Sequence, residues 1–410
     1  MASTSDEAFV WMWPAGSTDP IPAGRLRRGG DGGLWFQYGR RYAARPDAVS
    51  LSPTLPLGSG SFGPTEDLGM PGALRDGAPD AWGRRVLLNA LTGAHGLDAD
   101  ATALDELTYL LRSGSNRFGA IDFQQSPLNY VPRADTASLD ELHRAAQIVE
   151  AGDHLPTGLA EAIIDGTTMG GARPKALVRD ESREYLAKFS TSSDPFPVVT
   201  AEAASLTLAR RAGIRVPDTR VVTSLGRNVL LIERFDRPGD GRRTMVVSAL
   251  TLTDLGEMTA RYGSYPWLLR SLREHGTDAG AELFTRIAFN IAISNTDDHL
   301  RNHAAFWDGS TLTLTPAYDL SPIPRSGETA YQAIAYGPDG ERESNLAALI
   351  AVAHVYGLDQ LRARDVVDRM VEEIRTGWDE AADEARLTQA ERSLLWGRQF
   401  LNPGALRGMS

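Results

Sequence analysis

The polar stretch Asn295-Thr296-Asp297-Asp298-His299-Leu300-Arg301-Asn302-His303 places an asparagine five residues after an aspartate. Phosphoryl transfer uses that spacing: the aspartate accepts the proton of the attacking hydroxyl, and the asparagine binds magnesium. Magnesium prefers oxygen ligands. A second aspartate is then needed downstream, past a short β segment, to bridge metal and phosphates. Asp319, in Ala317-Tyr318-Asp319-Leu320, fills that place. Arg301 offers positive charge to the transferred group. Two other readings stay open. On a helix, His299 and His303 would share one face and, with Asp297 and Asp298, resemble a hydrolytic metal site. The stretch is otherwise a polar surface turn.

Phosphates need holding as well as transferring. Gly170-Gly171-Ala172-Arg173-Pro174-Lys175 lets backbone N–H groups approach a polyanion, with Lys175 as a source of charge. It is not a Walker loop, because a proline and a strand-like run follow it. Lys188 sits in a second strand-like run, Glu184-Tyr185-Leu186-Ala187-Lys188-Phe189. A strand lysine beside a Gly-rich loop grips nucleotide phosphates when a helix carboxylate pairs with it. Glu202, near the start of the next helix, is the candidate partner. Glu233-Arg234-Phe235 closes a later strand, where backbone groups would meet adenine. Only two of the 42 basic residues are lysines, and they are Lys175 and Lys188. Chance survival is one account. A need for a compact ammonium where a planar guanidinium does not fit is the other.

The elements that must position these groups fall into three segments. Residues 1–125 read as short strands and then helices, with Leu34–Tyr38 a strand and helical apolar spacing over 74–112. Residues 138–250 begin with a capping box at Ser138–Glu141 and carry the Gly loop, two strands, a helix from Thr200 to Arg211 and two more strands. Residues 251–410 are mostly helical, with Ala281–Ser294 the clearest helix, a short β segment at Leu312–Leu314 and tail helices near 345–356, 363–379 and 388–401.

Composition narrows the function classes. With 410 residues, 42% of them hydrophobic, the chain has material for more than one core. No cysteine is present, which excludes disulfides and thiolate metal sites. The net charge of −11 argues against a protein that coats nucleic acid on its own. No apolar run is long enough to span a membrane, and the N-terminus lacks a signal-peptide pattern, so a soluble cytoplasmic protein is expected.

The succession GGARPK, YLAKFS, AEAASLTLARRAG, LLIERFDR, NTDDHLRN and PAYDLSP resembles the HipA family, serine/threonine kinase toxins of bacterial toxin–antitoxin modules. An SLSPTLP-type segment in the first domain extends the resemblance over essentially the whole chain. The resemblance implies an α+β, two-lobed, protein-kinase-like fold with an N-terminal mixed subdomain and a mostly helical C-terminal lobe. It implies ATP and Mg2+ as cofactors, Asp297 as catalytic base, and Asn302 and Asp319 as metal ligands. Lys188 would hold phosphates and Gly170 to Lys175 would cover them. Glu233 to Phe235, with Glu202, His299, Leu300, Arg301 and Tyr318, would complete the nucleotide site.

The family also autophosphorylates, usually on a serine just before the Gly loop. Thr168 stands there, with Thr167 beside it, which is a departure. Asp298 is a second departure, where glycine is frequent; an added carboxylate would perturb Asp297 or bind a further cation. The implied partners are a HipB-like helix-turn-helix antitoxin, which supplies most of the DNA contact, and a protein substrate such as an aminoacyl-tRNA synthetase. A non-catalytic co-repressor and a small-molecule phosphotransferase remain as alternatives.

Overall fold

Side-chain alternation in the strands and capped helix starts account for most of the elements. The computed structural model describes residues 6–94, 96, 100–133, 137–164, 171–180, 183–191, 194–325 and 327–409. The chain divides into two compact units. One comprises Met1–Thr191, Thr223–Val247 and Phe306–Gly309; the other comprises Ser192–Val222, Ser248–Ala305 and Ser310–Ser410.

The first unit opens on an antiparallel sheet ordered β4-β3-β2-β1-β5. Its strands are β1 (Glu7–Met12), β2 (Ile21–Arg28), β3 (Leu34–Tyr38), β4 (Ser61–Phe62) and β5 (Ile121–Gln124). In β3 the alternation is strict: Leu34, Phe36 and Tyr38 are buried, while Trp35 and Gln37 are exposed. A period of two is what a half-buried strand requires. Two one-turn helices, α1 (Arg40–Ala43) and α2 (Gly72–Arg75), lead to α3 (Ala81–Thr92) and α4 (Glu106–Arg112). Asp80 caps α3 by accepting from Gly83 N, and Asp105 does the same for α4 through Thr108 N.

Arg117 is fully buried in the loop after α4. Its Nε donates to Asp122 Oδ1 at 2.6 Å, and its two amino groups donate to Gly77 O at 2.7 Å and Leu110 O at 2.5 Å. Burial lowers its pKa to about 10 against the pull of Asp122, so it remains charged at neutral pH.

Helix α5 (Leu139–Ala151) starts at the expected capping box, with Ser138 and Glu141 bonded reciprocally. After α6 (Thr157–Ile164) come β6 (Lys175–Arg179) and β7 (Glu184–Phe189), paired antiparallel with Lys175 opposite Lys188. The strand therefore begins at Lys175, one residue earlier than its apolar run suggests. The sheet order is β6-β7-β9-β8, with β8 (Thr219–Ser224) and β9 (Arg227–Glu233).

In the second unit, α7 (Val198–Arg211) starts two residues before the expected cap. Pro197 occupies the N-cap position, and Thr200 lies inside the first turn with its hydroxyl donating to Pro197 O. A proline preceding the turn ends the extended segment without a side-chain cap, so the hydroxyl of Thr200 is not needed for that job. After β10 (Val246–Ser248) and α8 (Ala249–Leu252), α9 (Tyr265–Glu274) and α10 (Gly280–Ala292) build the core. Leu283, Phe284, Ile287, Ala288 and Ile291 of α10 are all buried.

β11 (Ala304–Trp307) and β12 (Leu312–Leu314) follow; the order of this sheet is β10-β11-β12. The tail consists of α11 (Leu346–Ala351), α12 (Gln360–Glu384), α13 (Gln389–Leu395) and α14 (Pro403–Leu406). The helix expected over 388–401 stops at Leu395, because Gly397 adopts a left-handed turn with φ of 72°. Antiparallel sheets together with helices that follow them in separate stretches of chain make the fold α+β. Among the described residues, no helix is long and apolar enough to cross a membrane.

Removing one member of a buried ion pair strands the other. Arg117→Met should therefore lower unfolding free energy by about 3 kcal/mol, read as a shifted midpoint in urea denaturation. Asp122 keeps Arg133 as a second partner, at 2.8 Å, which holds the loss to that size.

Candidate active site

The expected residues divide between the two units. The first holds Gly171, Ala172, Arg173, Pro174, Lys175, Lys188, Glu233, Arg234 and Phe235; the second holds Glu202, Asp297, His299, Leu300, Arg301, Asn302, Tyr318 and Asp319. Gly170, Thr167 and Thr168 lie outside the described residues.

In the first unit the Gly loop meets the ladder at Lys175. Residues opposite one another on antiparallel strands share a face, so Lys175 and Lys188 extend from the same side of the sheet. Both are buried, at 2% and 8% exposure. Lys175 is already committed to a carboxylate. Its Nζ is 3.0 Å from Asp80 Oδ2, and its carbonyl accepts from Trp82 Nε1 at 3.0 Å. Physically, an ammonium this deep needs a carboxylate partner at once.

The segment Glu233 to Phe235 closes β9. Arg234 N donates to Glu184 O at 2.8 Å, so this amide is spent on the sheet. The Arg234 side chain is buried: it donates to Asp236 at 2.8 Å, to Asn116 Oδ1 at 2.7 Å and to Arg117 O at 2.7 Å. Arg234 is thus a scaffold for the segment, and Glu233 and Phe235 are left to present backbone to a base. Phe235 is half-buried, and its ring meets Phe118 and Phe306 edge-on, with centroids 6.0 and 5.8 Å away. Phe118 and Phe306 are not visible to sequence reasoning. They lie far from Phe235 along the chain, and a single phenylalanine in a Gly-rich loop carries no periodic signal.

In the second unit α10 runs into the expected loop. Asp297 is exposed and the adjacent Asp298 is buried. Asp298 accepts from Asn290 Nδ2 at 2.8 Å and from the hydroxyl of Tyr265, and it pairs with His303 Nε2 at 2.9 Å. This corrects the expectation for Asp298. Its carboxylate is spent on interior donors and offers nothing to a further cation. It also removes the hydrolytic metal reading. The 3₁₀ turn Leu300–Asn302 ends at His303, whose backbone is extended, so His299 and His303 do not share a helix face. Among the described residues, no group of three or more His, Cys, Asp or Glu is placed to hold a metal ion.

Asn295 joins the two ends of the constellation. Its Nδ2 donates to Asn290 Oδ1 at 3.0 Å and to Asp319 O at 3.2 Å. Asp319 is half-buried with a left-handed backbone, φ 58°, which a non-glycine residue holds only when its surroundings impose it. Asn302 Nδ2 reaches Asp297 O at 3.4 Å, which leaves the amide oxygen free to act as an acceptor. An amide oxygen and a half-exposed carboxylate are hard oxygen donors of the kind magnesium takes. Tyr318 donates to Arg301 O at 2.8 Å. The Arg301 guanidinium is bound to Glu257 at 2.6 Å, so the charge expected to face a phosphoryl group is already shared. Glu202 is buried on α7.

Comparison with known proteins decides the family. The HipA-like C-terminal domain family matches residues 167–378, and the HipA N-terminal domain family matches residues 17–124. The chain belongs to the HipA family. The Toxin YjjJ of Escherichia coli K12 is 28% identical over 39% of this chain and 39% of its own length. A Sinorhizobium fredii protein named as a kinase, Y4dM, is 30% identical over 43% of this chain and 47% of its own. The chain therefore matches about half or less of the length of these relatives. A solved Shewanella oneidensis HipA, in a complex with HipB and operator DNA, superposes with a TM-score of 0.65 at 18% identity, covering 97% of this chain and 99% of that one. At that identity the likeness establishes the HipA fold.

In this HipA-family chain the carboxylate with the plainest pH signature is Asp236, which ties the Arg234 segment to Gly119 N at 2.8 Å. Burial pushes its pKa up, but Arg234 and Arg237 outweigh burial and bring it down to about 2. A carboxyl whose folded pKa is depressed contributes stability above its unfolded value and loses it as pH falls through the folded one. Wild type should thus lose roughly 2 kcal/mol from this group between about pH 4 and pH 2. Asp236→Asn should show that loss already at pH 7, with the gap to wild type closing on acidification, as measured by denaturant midpoints across that range.

Proposed function

We propose that this chain is an ATP-dependent serine/threonine protein kinase, the toxin of a toxin–antitoxin module. The observation that carries the reading is the bonded chain from Asp298 through Asn290 and Asn295 to Asp319, beside which Asp297 stands as the exposed carboxylate. Asp297 is then the base. The substrate hydroxyl oxygen attacks the γ-phosphorus and the bond to the β–γ bridging oxygen breaks. The hydroxyl proton passes to Asp297, and ADP is the leaving group. Magnesium, held by Asn302 and Asp319, would neutralise charge on the β- and γ-phosphates. Lys188 holds phosphate oxygens, and the backbone at Glu233 and Phe235 receives adenine against the Phe118–Phe235–Phe306 cluster.

The acceptors in this reading are a cellular protein and the chain's own Thr168 or Thr167. The partner is a helix-turn-helix antitoxin like the HipB bound to the Shewanella HipA, with DNA contacted mainly through it. The net charge of −11 supports that division of labour.

Incubation with ATP and magnesium, followed by intact-mass spectrometry and phosphate transfer to bacterial lysate proteins, tests the reading. Asp297→Ala should cut transfer on the order of 10²-fold or more, the worth of a positioned base. A variant that transfers phosphate at the wild-type rate removes Asp297 from the mechanism. Transfer confined to metabolites replaces the protein kinase with a small-molecule phosphotransferase.

A further inference from the structure

Three groups at the start of α3 converge on the C-terminal arm of the Gly loop. Asp80 Oδ2 holds Lys175 Nζ at 3.0 Å, Trp82 Nε1 donates to Lys175 O at 3.0 Å, and Arg85 Nη2 donates to Ala172 O at 3.0 Å. Asp80 and Trp82 stand far before the loop, with sequence separations of 95 and 93. Asp80 uses its other oxygen to cap α3 through Gly83 N at 2.6 Å. The helix start and the loop anchor are thus one carboxylate.

Gly171 completes the arrangement. Its backbone has φ of 112°, and a Cβ added there would stand 2.7 Å from Lys175 Nζ. The ammonium lies directly against the glycine backbone. A planar guanidinium has five donors to satisfy and needs more room than this. The site therefore accepts lysine and refuses arginine, which accounts for one of the two lysines of the chain.

We infer that α3 of the first unit is the positioning element of the nucleotide loop, with Lys175 its anchor and not a phosphate ligand. This rests on the kinase reading above for what the loop does, but not for how it is held. Pairing with Asp80 also neutralises the ammonium that stands directly across the ladder from Lys188. Like charges placed so repel, and an unpaired Lys175 would compete with Lys188 for the same anion.

Asp80→Asn separates the two jobs of this residue. Asparagine remains a good N-cap, so α3 keeps its start while Lys175 loses its counter-charge. Lys175→Arg tests the fit over Gly171. Arg85→Ala removes the bond to Ala172 O, a surface pairing with Glu150 and the cation–π contact of the guanidinium over the Trp82 ring at 5.3 Å, and should fold as wild type does. The full-length protein is assayed with MgATP and, separately, by amide hydrogen exchange at Gly171 to Arg173. Asp80→Asn and Lys175→Arg should raise the KM for ATP about tenfold, the size of one lost charge-assisted hydrogen bond, with a smaller fall in kcat. All three variants should exchange faster at these amides.

Unchanged exchange in Asp80→Asn and Arg85→Ala overturns the anchor. Faster exchange with an unchanged KM overturns the positioning role. If wild type itself neither binds ATP nor transfers phosphate, the kinase reading fails, and the exchange data alone decide whether α3 holds the loop.

Discussion

A carboxylate taken out of water must be matched donor for donor, and Asp298 is where the second unit meets that demand. Left unpaired, an ion at such depth costs several kcal/mol. Tyr265 from α9, Asn290 from α10 and His303 just before β11 each bring a group to it. Three elements are therefore fixed around one side chain. The loop carrying Asp297 and Asn302 inherits its shape from that point. So does Asp319, since the amide chain Asn290–Asn295 ends on its carbonyl. A left-handed aspartate is costly to hold, and the network is where its cost is met.

The first unit solves a similar problem with arginine. Arg117, Arg234 and Arg237 are buried together with Asp122, Asp236 and Asn116, and most of their remaining N–H groups are directed at backbone carbonyls. A guanidinium suits this because its fork satisfies several acceptors in one plane. The loop Asn116–Gly119 has no regular structure, yet carbonyls of Asn116, Arg117 and Gly119 are tied to the end of β9 by these contacts. The Phe118–Phe235 pair is held by the same lattice. Rigidity here comes from charge-assisted bonds, not from a ladder or a helix.

Features set by close neighbours along the chain are legible in the sequence. β3 and β7 fall on the expected residues, and the capping box at Ser138 is where its pattern puts it. The family, the α+β fold and the order of the candidate residues are legible for the same reason, since each motif is a short run. What is not legible depends on partners far away along the chain. Nothing near Lys175 announces Asp80, and nothing near Asp298 announces Tyr265. In sequence Asp298 looks like a second acid for chemistry because it stands beside Asp297. Adjacent side chains in a non-helical loop point in different directions, and here one goes to solvent and the other to the interior. The start of α7 differs from its sequence expectation for a smaller reason: Pro197 ends the preceding segment without the side-chain cap that Thr200 suggests.

The retention of lysine at Lys175 has a geometric account. Where arginine is acceptable almost everywhere, a lysine marks a place whose shape excludes the larger group. Lys175 meets that description through Gly171, whose missing Cβ makes the space, and through the Asp80 carboxylate oxygen that its ammonium meets at 3.0 Å. Lys188 occupies the opposite position on the ladder, also buried, flanked by Ala187 and Phe189 and paired on its other side with Leu230. The two positions constrain each other as well. Asp80 compensates the first ammonium, and that compensation allows a second ammonium to stand opposite it on the same face. An exchange at either site would thus be felt at both, so the two lysines stand or fall as a pair in a chain whose every other basic side chain, histidine aside, is arginine.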